Sequence, residues 1–174
     1  MKKQIVLAGL VAAMVCAATS MLVITIPGGS GGYVHLGDTV IYLAAALLPV
    51  PYAVAAAAIG ASLADFLMMA PAWTPFTIAI KAVMAMTFTA KKETLMCRRN
   101  AVAPVLAGLV CVAGYYGAQI ALACASGSSF AAAATAAAVA IPFNGAQALA
   151  SGICFVVLAL SLDKLGIKKR LQKM

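Results

Sequence analysis

Long apolar runs separated by short polar breaks organise this chain. Apolar residues fill about 4–25, 39–64, 75–90, 101–124 and 141–162. A helix needs about 20 such residues to cross ~30 Å of hydrocarbon. The first break, Pro27-Gly28-Gly29-Ser30-Gly31-Gly32, leads into Tyr33-Val34-His35-Leu36-Gly37-Asp38. Backbone of this kind has no place in a bilayer unless protein or water satisfies it. Residues 27–36 are therefore predicted to form an outer glycine-rich loop. It reads either as a lid over a binding site, with the chain's only histidine in it, or as a plain connector. The second break is Pro49-Val50-Pro51, and proline disfavours continuing a helix. Pro71-Ala72-Trp73-Thr74-Pro75 makes another turn, with Trp73 at interface depth.

Charge decides how many spans these runs make. The 174 residues are 65% hydrophobic and 9% charged, against roughly 25% charged in a soluble domain. Eleven of the twelve Lys and Arg residues fall in three clusters, at 2–3, 91–99 and 164–173. Positive residues near span ends mark the cytoplasmic side, so an even number of spans separates each pair of clusters. The net charge of +8 then belongs to the membrane surface and not to a nucleic acid. The prediction is an all-α integral membrane protein, one domain of six transmembrane helices with both termini cytoplasmic. Its spans are about 4–25, 37–49, 52–69, 75–90, 101–124 and 141–162. The Ser/Gly break and alanine-rich segment over 126–140 reads as an outer helical piece or an extension of span 6. The N-terminus could pass for a signal peptide, but its apolar stretch continues to Ile26 and a retained first span is expected.

Polar residues inside spans are costly and mark function by default. Lys81 is the plainest, and Asp65 is read as the one acidic residue within a span. Counted from the outer ends of spans 3 and 4, their depths agree within a few ångströms, so the two can pair, either only to fix two helices or with a role in or beside a ligand site. Thr74, Thr77 and Lys81 share one face of span 4, Tyr116 and Gln119 lie in span 5 beside Tyr115, and Asn144, Gln147 and Ser151 share a face of span 6. Ser62 and Asp65 repeat the spacing in span 3. Stripes at one depth beneath a loop suggest a pocket for a small polar molecule; each stripe alone reads equally as helix–helix glue. Five scattered cysteines with one histidine suggest neither a zinc site nor a disulfide framework. No GxxxxGK[ST], HExxH or GxSxG motif occurs, so catalysis, a metal or a cofactor is not expected. Ala8, Ala12 and Ala13 with Gly9 make a small-residue face on span 1, suited to a close helix partner or to internal packing.

Several of these stretches resemble the substrate-binding S components of energy-coupling factor (ECF) vitamin transporters. They are Ile26-Pro27 with the loop through Asp38, Ile59-Gly60-Ala61-Ser62-Leu63-Ala64-Asp65, Thr77-Ile78-Ala79-Ile80-Lys81 and Ile141-Pro142-Phe143-Asn144-Gly145-Ala146-Gln147. The loop is similar to that of the riboflavin-transporter-like group, which includes hydroxymethylpyrimidine and pyridoxine carriers. The resemblance implies a prokaryotic cell-membrane subunit that binds a vitamin or precursor from outside. It implies docking on a transmembrane T component with two cytoplasmic ATPase subunits, Ala8 and Ala12 occupying the docking positions. Asn144, Gln147 and Gln119 are expected to hydrogen-bond the ligand, Tyr116, Tyr115 or Trp73 to stack on it, and Lys81, Asp65, Thr77 and His35 to complete the site. The rival readings are a self-sufficient secondary carrier using Lys81 and Asp65 as a proton relay, and a non-transport assembly factor.

Overall fold

The computed structural model describes residues 2–21, 23–25 and 33–173. Its helices are α1 (Lys2–Met21), α2 (Gly37–Leu47), α3 (Val50–Leu67), α4 (Thr74–Met86), α5 (Arg98–Ala125), α6 (Phe130–Ala138), α7 (Ile141–Lys164) and α8 (Ile167–Lys173), with a 3₁₀ turn over Pro71–Trp73. Among the described residues four helices, α1, α3, α5 and α7, are long and apolar enough to cross a membrane. α2 has 11 residues and α4 has 13. The protein is an all-α membrane protein, with one small exception.

That exception lies where span 1 was predicted to run on to Thr25. α1 stops at Met21, and β1 (Val23–Thr25) pairs antiparallel with β2 (Tyr33–His35), Val23 opposite His35 and Thr25 opposite Tyr33. Val, Ile and Thr are β-branched and favour extended backbone, so the apolar run changes conformation without changing hydropathy. The glycine segment read as a lid falls on 26–32, outside the described residues. Of the two readings of the segment over 126–140, a separate helical piece and an extension of span 6, the structure has the first, over Phe130–Ala138. That piece is α6, whose N-cap Ser129 accepts the Ala132 N–H.

Small residues set the packing, as expected where lipid supplies no hydrophobic drive between helices. α1 lies on α3 through Ala8, Ala12 and Val15, and a Cβ at Gly60 would overlap the Ala12 carbonyl oxygen. Gly108 packs against Ala148, and Gly152 against Pro104, where α5 meets α7. Tyr42, Phe88 and Phe155 form a buried aromatic cluster; Tyr42 stacks on Phe88 at 4.9 Å and Phe155 meets Phe88 edge-on at 5.2 Å.

The molecule has two polar ends. At the basic end, Asn100 accepts the Thr89 N–H (2.8 Å) and donates to the carbonyls of Thr89 (2.9 Å) and Leu95 (2.8 Å). The Asp163 carboxylate accepts the N–H groups of Leu95 (2.7 Å) and Met96 (2.9 Å). Lys168 on α8 donates to the Ala46 carbonyl in the last turn of α2 (2.8 Å). The opposite end carries β1, β2, the 3₁₀ turn and α6, and is called the hairpin end below.

Candidate functional site

α2 is the element that builds the site. Eleven residues at about 1.5 Å each make a helix of roughly 16 Å, half a bilayer core. Strand β2 feeds directly into it, so α2 starts below the top of the bundle. Its second residue, Asp38, is therefore buried (0% exposed) and lies level with Lys81 (1% exposed) on α4. An acid in a first helical turn also meets the unsatisfied N–H groups there. Close approach fixes the spot, because a side chain at Gly37 would overlap the Thr19 hydroxyl of α1.

Lys81 Nζ and Asp38 Oδ1 form an ion pair at 2.5 Å. This corrects the Lys81–Asp65 pairing read from the sequence. Depths counted from span ends assumed that every helix starts at one plane, and α2 does not. Asp65 is buried on α3, but the carboxylate holding Lys81 belongs to Asp38. It also corrects the reading of Asp65 as the only acid within a span.

Gln147 of α7 completes the network. Its Nε2 donates to Asp38 Oδ2 (2.8 Å), and its Oε1 accepts the His35 N–H (3.0 Å). Cys111 Sγ of α5 lies 3.9 Å from both Asp38 Oδ2 and Gln147 Nε2. Lys81 Nζ sits 5.1 Å from the centroid of the Tyr115 ring, within reach of a cation–π attraction. The Tyr115 hydroxyl donates to Thr77 Oγ1 (3.4 Å), and the Trp73 ring lies 6.1 Å from that of Tyr115. α2, α4, α5, α7 and β2 thus converge on one neutral cluster flanked by two aromatic rings. Ser151 Oγ and Tyr42 Oη are buried with no hydrogen-bond partner among the described residues. Buried polar groups left so cost about 1–3 kcal/mol each, which is unspent capacity for a polar guest.

His35 closes the cluster from the hairpin. Its Nδ1 accepts the Gly37 N–H (3.0 Å), so the ring proton sits on Nε2. Burial pushes the imidazole down to about 4, and it is neutral near pH 7.

The structure brings together Lys81, Thr77, Tyr115, Trp73, Gln147 and His35. Asn144 is buried one turn from Gln147, toward the hairpin end. Tyr116 turns the other way, its hydroxyl donating to the Ala134 carbonyl of α6 (3.4 Å), and Gln119 is half-buried farther along α5. Ser62 donates to the Ala58 carbonyl of its own helix (2.6 Å). Ala8 and Ala12 are buried against α3; the small residues left on the surface of α1 are Gly9, Ala13 and Ala17. Sequence reasoning missed Asp38 and Cys111. The signals were an acid just inside a helix start, and a residue four before Tyr115 on the same face.

No curated protein matches the chain. The family model described as ECF-type riboflavin transporter, S component, matches residues 1–164 of the 174. With nearly the whole chain covered, this protein belongs to the ECF-type riboflavin transporter S component family.

Proposed function

We propose that this S component captures a small, uncharged or zwitterionic heterocycle, a vitamin or vitamin precursor, at the hairpin end. Family membership makes the chain a vitamin-binding transporter subunit and not an enzyme, with T and ATPase components as partners. The observation that carries the finer reading is the buried Asp38–Lys81–Gln147 network. Its two charges cancel, which disfavours a multiply charged ligand. Its amide and carboxylate are bonded mainly to each other, so a ligand's donors and acceptors can replace one protein partner with another. The Trp73 and Tyr115 rings beside it suit a flat ring. Asn144 stands on the same helix face, nearer the hairpin.

In the proposed topology α1, α2, α3, α4, α5 and α7 are the six spans. The basic end, with both termini, faces the cytoplasm by the positive-inside rule. α2 and α4 count as spans although neither is long enough alone, because β2 and the 3₁₀ turn lead into them at the hairpin end. Uptake would be driven by two ATPase subunits through the T component, since this chain has no nucleotide motif of its own. The exposed Gly9, Ala13 and Ala17 face of α1 is the docking surface, in place of the inward-facing Ala8 and Ala12.

Native mass spectrometry of the purified chain tests the capture step. A co-purified molecule of vitamin size is expected, and it should rebind after removal. A protein that retains nothing and binds no flavin, pyridoxine or pyrimidine compound would contradict the proposal. Ala13→Trp is expected to abolish uptake with ligand affinity unchanged; loss of binding too would return that face to internal packing.

A further inference from the structure

A groove of about 570 Å³ runs along the seam where α5 meets α7. Its lining is apolar throughout, and its volume lies within the roughly 300–1,000 Å³ range of ligand pockets. Pro104, Gly108, Ala148 and Gly152 form the floor, where the two helices touch each other. Val105 and Leu109 on one side, and Leu149 and Ile153 on the other, stand as exposed ridges. From Ala101 to Val112 the groove follows α5 for roughly 16 Å at about 1.5 Å per residue, half of the ~30 Å hydrocarbon core. It is therefore about one leaflet deep, and it opens toward the basic end. Arg98, Ala101 and Val105 share a face of α5, as Val157 and Lys164 share a face of α7. Ala101 and Val157 line the groove, so the exposed Arg98 and Lys164 stand at its mouth.

Three occupants differ in how they fit. A partner's helix needs room for roughly 10–12 Å of backbone and side chains. The small residues that would admit it are already used between α5 and α7. A Cβ on Gly108 would stand 3.0 Å from that of Ala148, and one on Gly152 would stand 3.3 Å from that of Pro104. What remains between the ridges is a slot for something thinner than a helix. A second copy in the same membrane shares this chain's orientation by the positive-inside rule, so Arg98 and Lys164 would face their like. An anionic headgroup with a hydrocarbon tail meets both features, since the tail fills the slot and the head meets the cations. Asp163 stands beside Lys164 in the chain, with its carboxylate on the Leu95 and Met96 N–H groups. Two cations against that one acid leave the mouth positive.

We propose that the groove holds one acyl chain of an anionic phospholipid from the leaflet at the basic end, with the phosphate between Arg98 and Lys164. The lipid clamps α5 to α7, the two helices that bring Cys111 and Gln147 to Asp38.

The test uses the purified full chain with added phosphatidylglycerol or phosphatidylcholine, read by native mass spectrometry. Phosphatidylglycerol should be retained over phosphatidylcholine by about tenfold or more, the ratio that one charge-assisted hydrogen bond supplies. Arg98→Gln combined with Lys164→Gln removes the partners of the head and should bring the two lipids to equal retention. Val105→Trp fills the slot and leaves both cations. Retention of phosphatidylglycerol should then fall about tenfold, the ratio that two buried methylenes supply. Gly145→Leu fills the far end of the groove, where an added Cβ meets nothing, and should act in the same direction if Val105→Trp fails to fold. Equal retention of the two lipids by the unaltered protein would overturn the proposal. So would undiminished preference in the filled variants, which would place the lipid on the basic surface. Displacement by glycerol phosphate, a head without a tail, would overturn it in favour of a free phosphate. A lipid-free dimer that Val105→Trp dissociates would overturn it in favour of a second copy. None of these readouts depends on the vitamin site.

Discussion

The two polar ends of this protein use their hydrogen bonds in opposite ways. At the basic end, Asn100, Asp163 and Lys168 bond to backbone groups of the 87–97 loop and of α2. Backbone partners are fixed by the fold, so those side chains hold the scaffold and have little to exchange. At the hairpin end, Asp38, Lys81 and Gln147 bond mainly to one another, side chain to side chain. Such groups can change partners without unwinding a helix. Asn100 at the basic end is as fully buried as Asp38 at the hairpin end, so burial alone does not separate a scaffold from a site. The identity of the partner does.

Four changes would break or sharpen that contrast. The largest effect is expected from Lys81→Met, which strands a buried carboxylate and should cost about 3–5 kcal/mol of stability. The double variant with Asp38→Asn should recover most of it in denaturant titrations. A cycle pairing Lys81→Met with Asp65→Asn should show coupling under ~0.5 kcal/mol, as for residues that share no contact. Strong coupling there would return the ion pair to Asp65.

Acid comes next. The His35 imidazole falls from 6.5 unfolded to about 4 when folded. A depressed folded value means that stability is whole above pH 6.5 and is lost as pH falls toward 4. The span corresponds to about 3 kcal/mol at most. Protonation would also remove the acceptor for the Gly37 N–H. Thermal melts across pH 4–7 should therefore be shallower for His35→Gln than for the unaltered protein, and identical slopes would exclude His35 as the sensor.

At the basic end, Asn100→Ala should lower stability by about 1–3 kcal/mol, from bonds worth about 0.5–1.5 kcal/mol each. Ligand affinity should not move. The smallest effect belongs to Met69, an exposed residue past α3 held at φ 57°. Glycine accepts that left-handed backbone, so Met69→Gly should raise stability by about 0.5–1 kcal/mol, again with no change in binding.

Punctuation made the helix order legible. Pro49-Val50-Pro51 announced the start of α3 at Val50, Pro71 and Pro75 framed the turn before α4, and basic clusters bracketed α5 and α7. The polar stripes on α4 and α7 were legible too, because period and spacing place Thr77 with Lys81 and Asn144 with Gln147. Depth was not legible. Counting residues from span ends cannot show that β2 lowers the start of α2, and the partner of Lys81 was misassigned for that reason. The facing of α1 was hidden as well. An alanine-rich helix has small residues on several sides, and only the contact with Gly60 shows that Ala8 and Ala12 turn inward while Gly9 and Ala13 do not.

The central claim is that ligand binding belongs to the network at the hairpin end and not to the one at the basic end. Calorimetric titration of Gln147→Ala and Asn100→Ala with the rebinding vitamin-sized compound tests it most directly. Gln147→Ala should weaken affinity by roughly tenfold to a hundredfold, since it removes a hydrogen bond and strands a buried partner. Asn100→Ala, less stable but equally competent, should bind as the unaltered protein does. Equal affinities in both variants, or a loss confined to Asn100→Ala, would contradict the account.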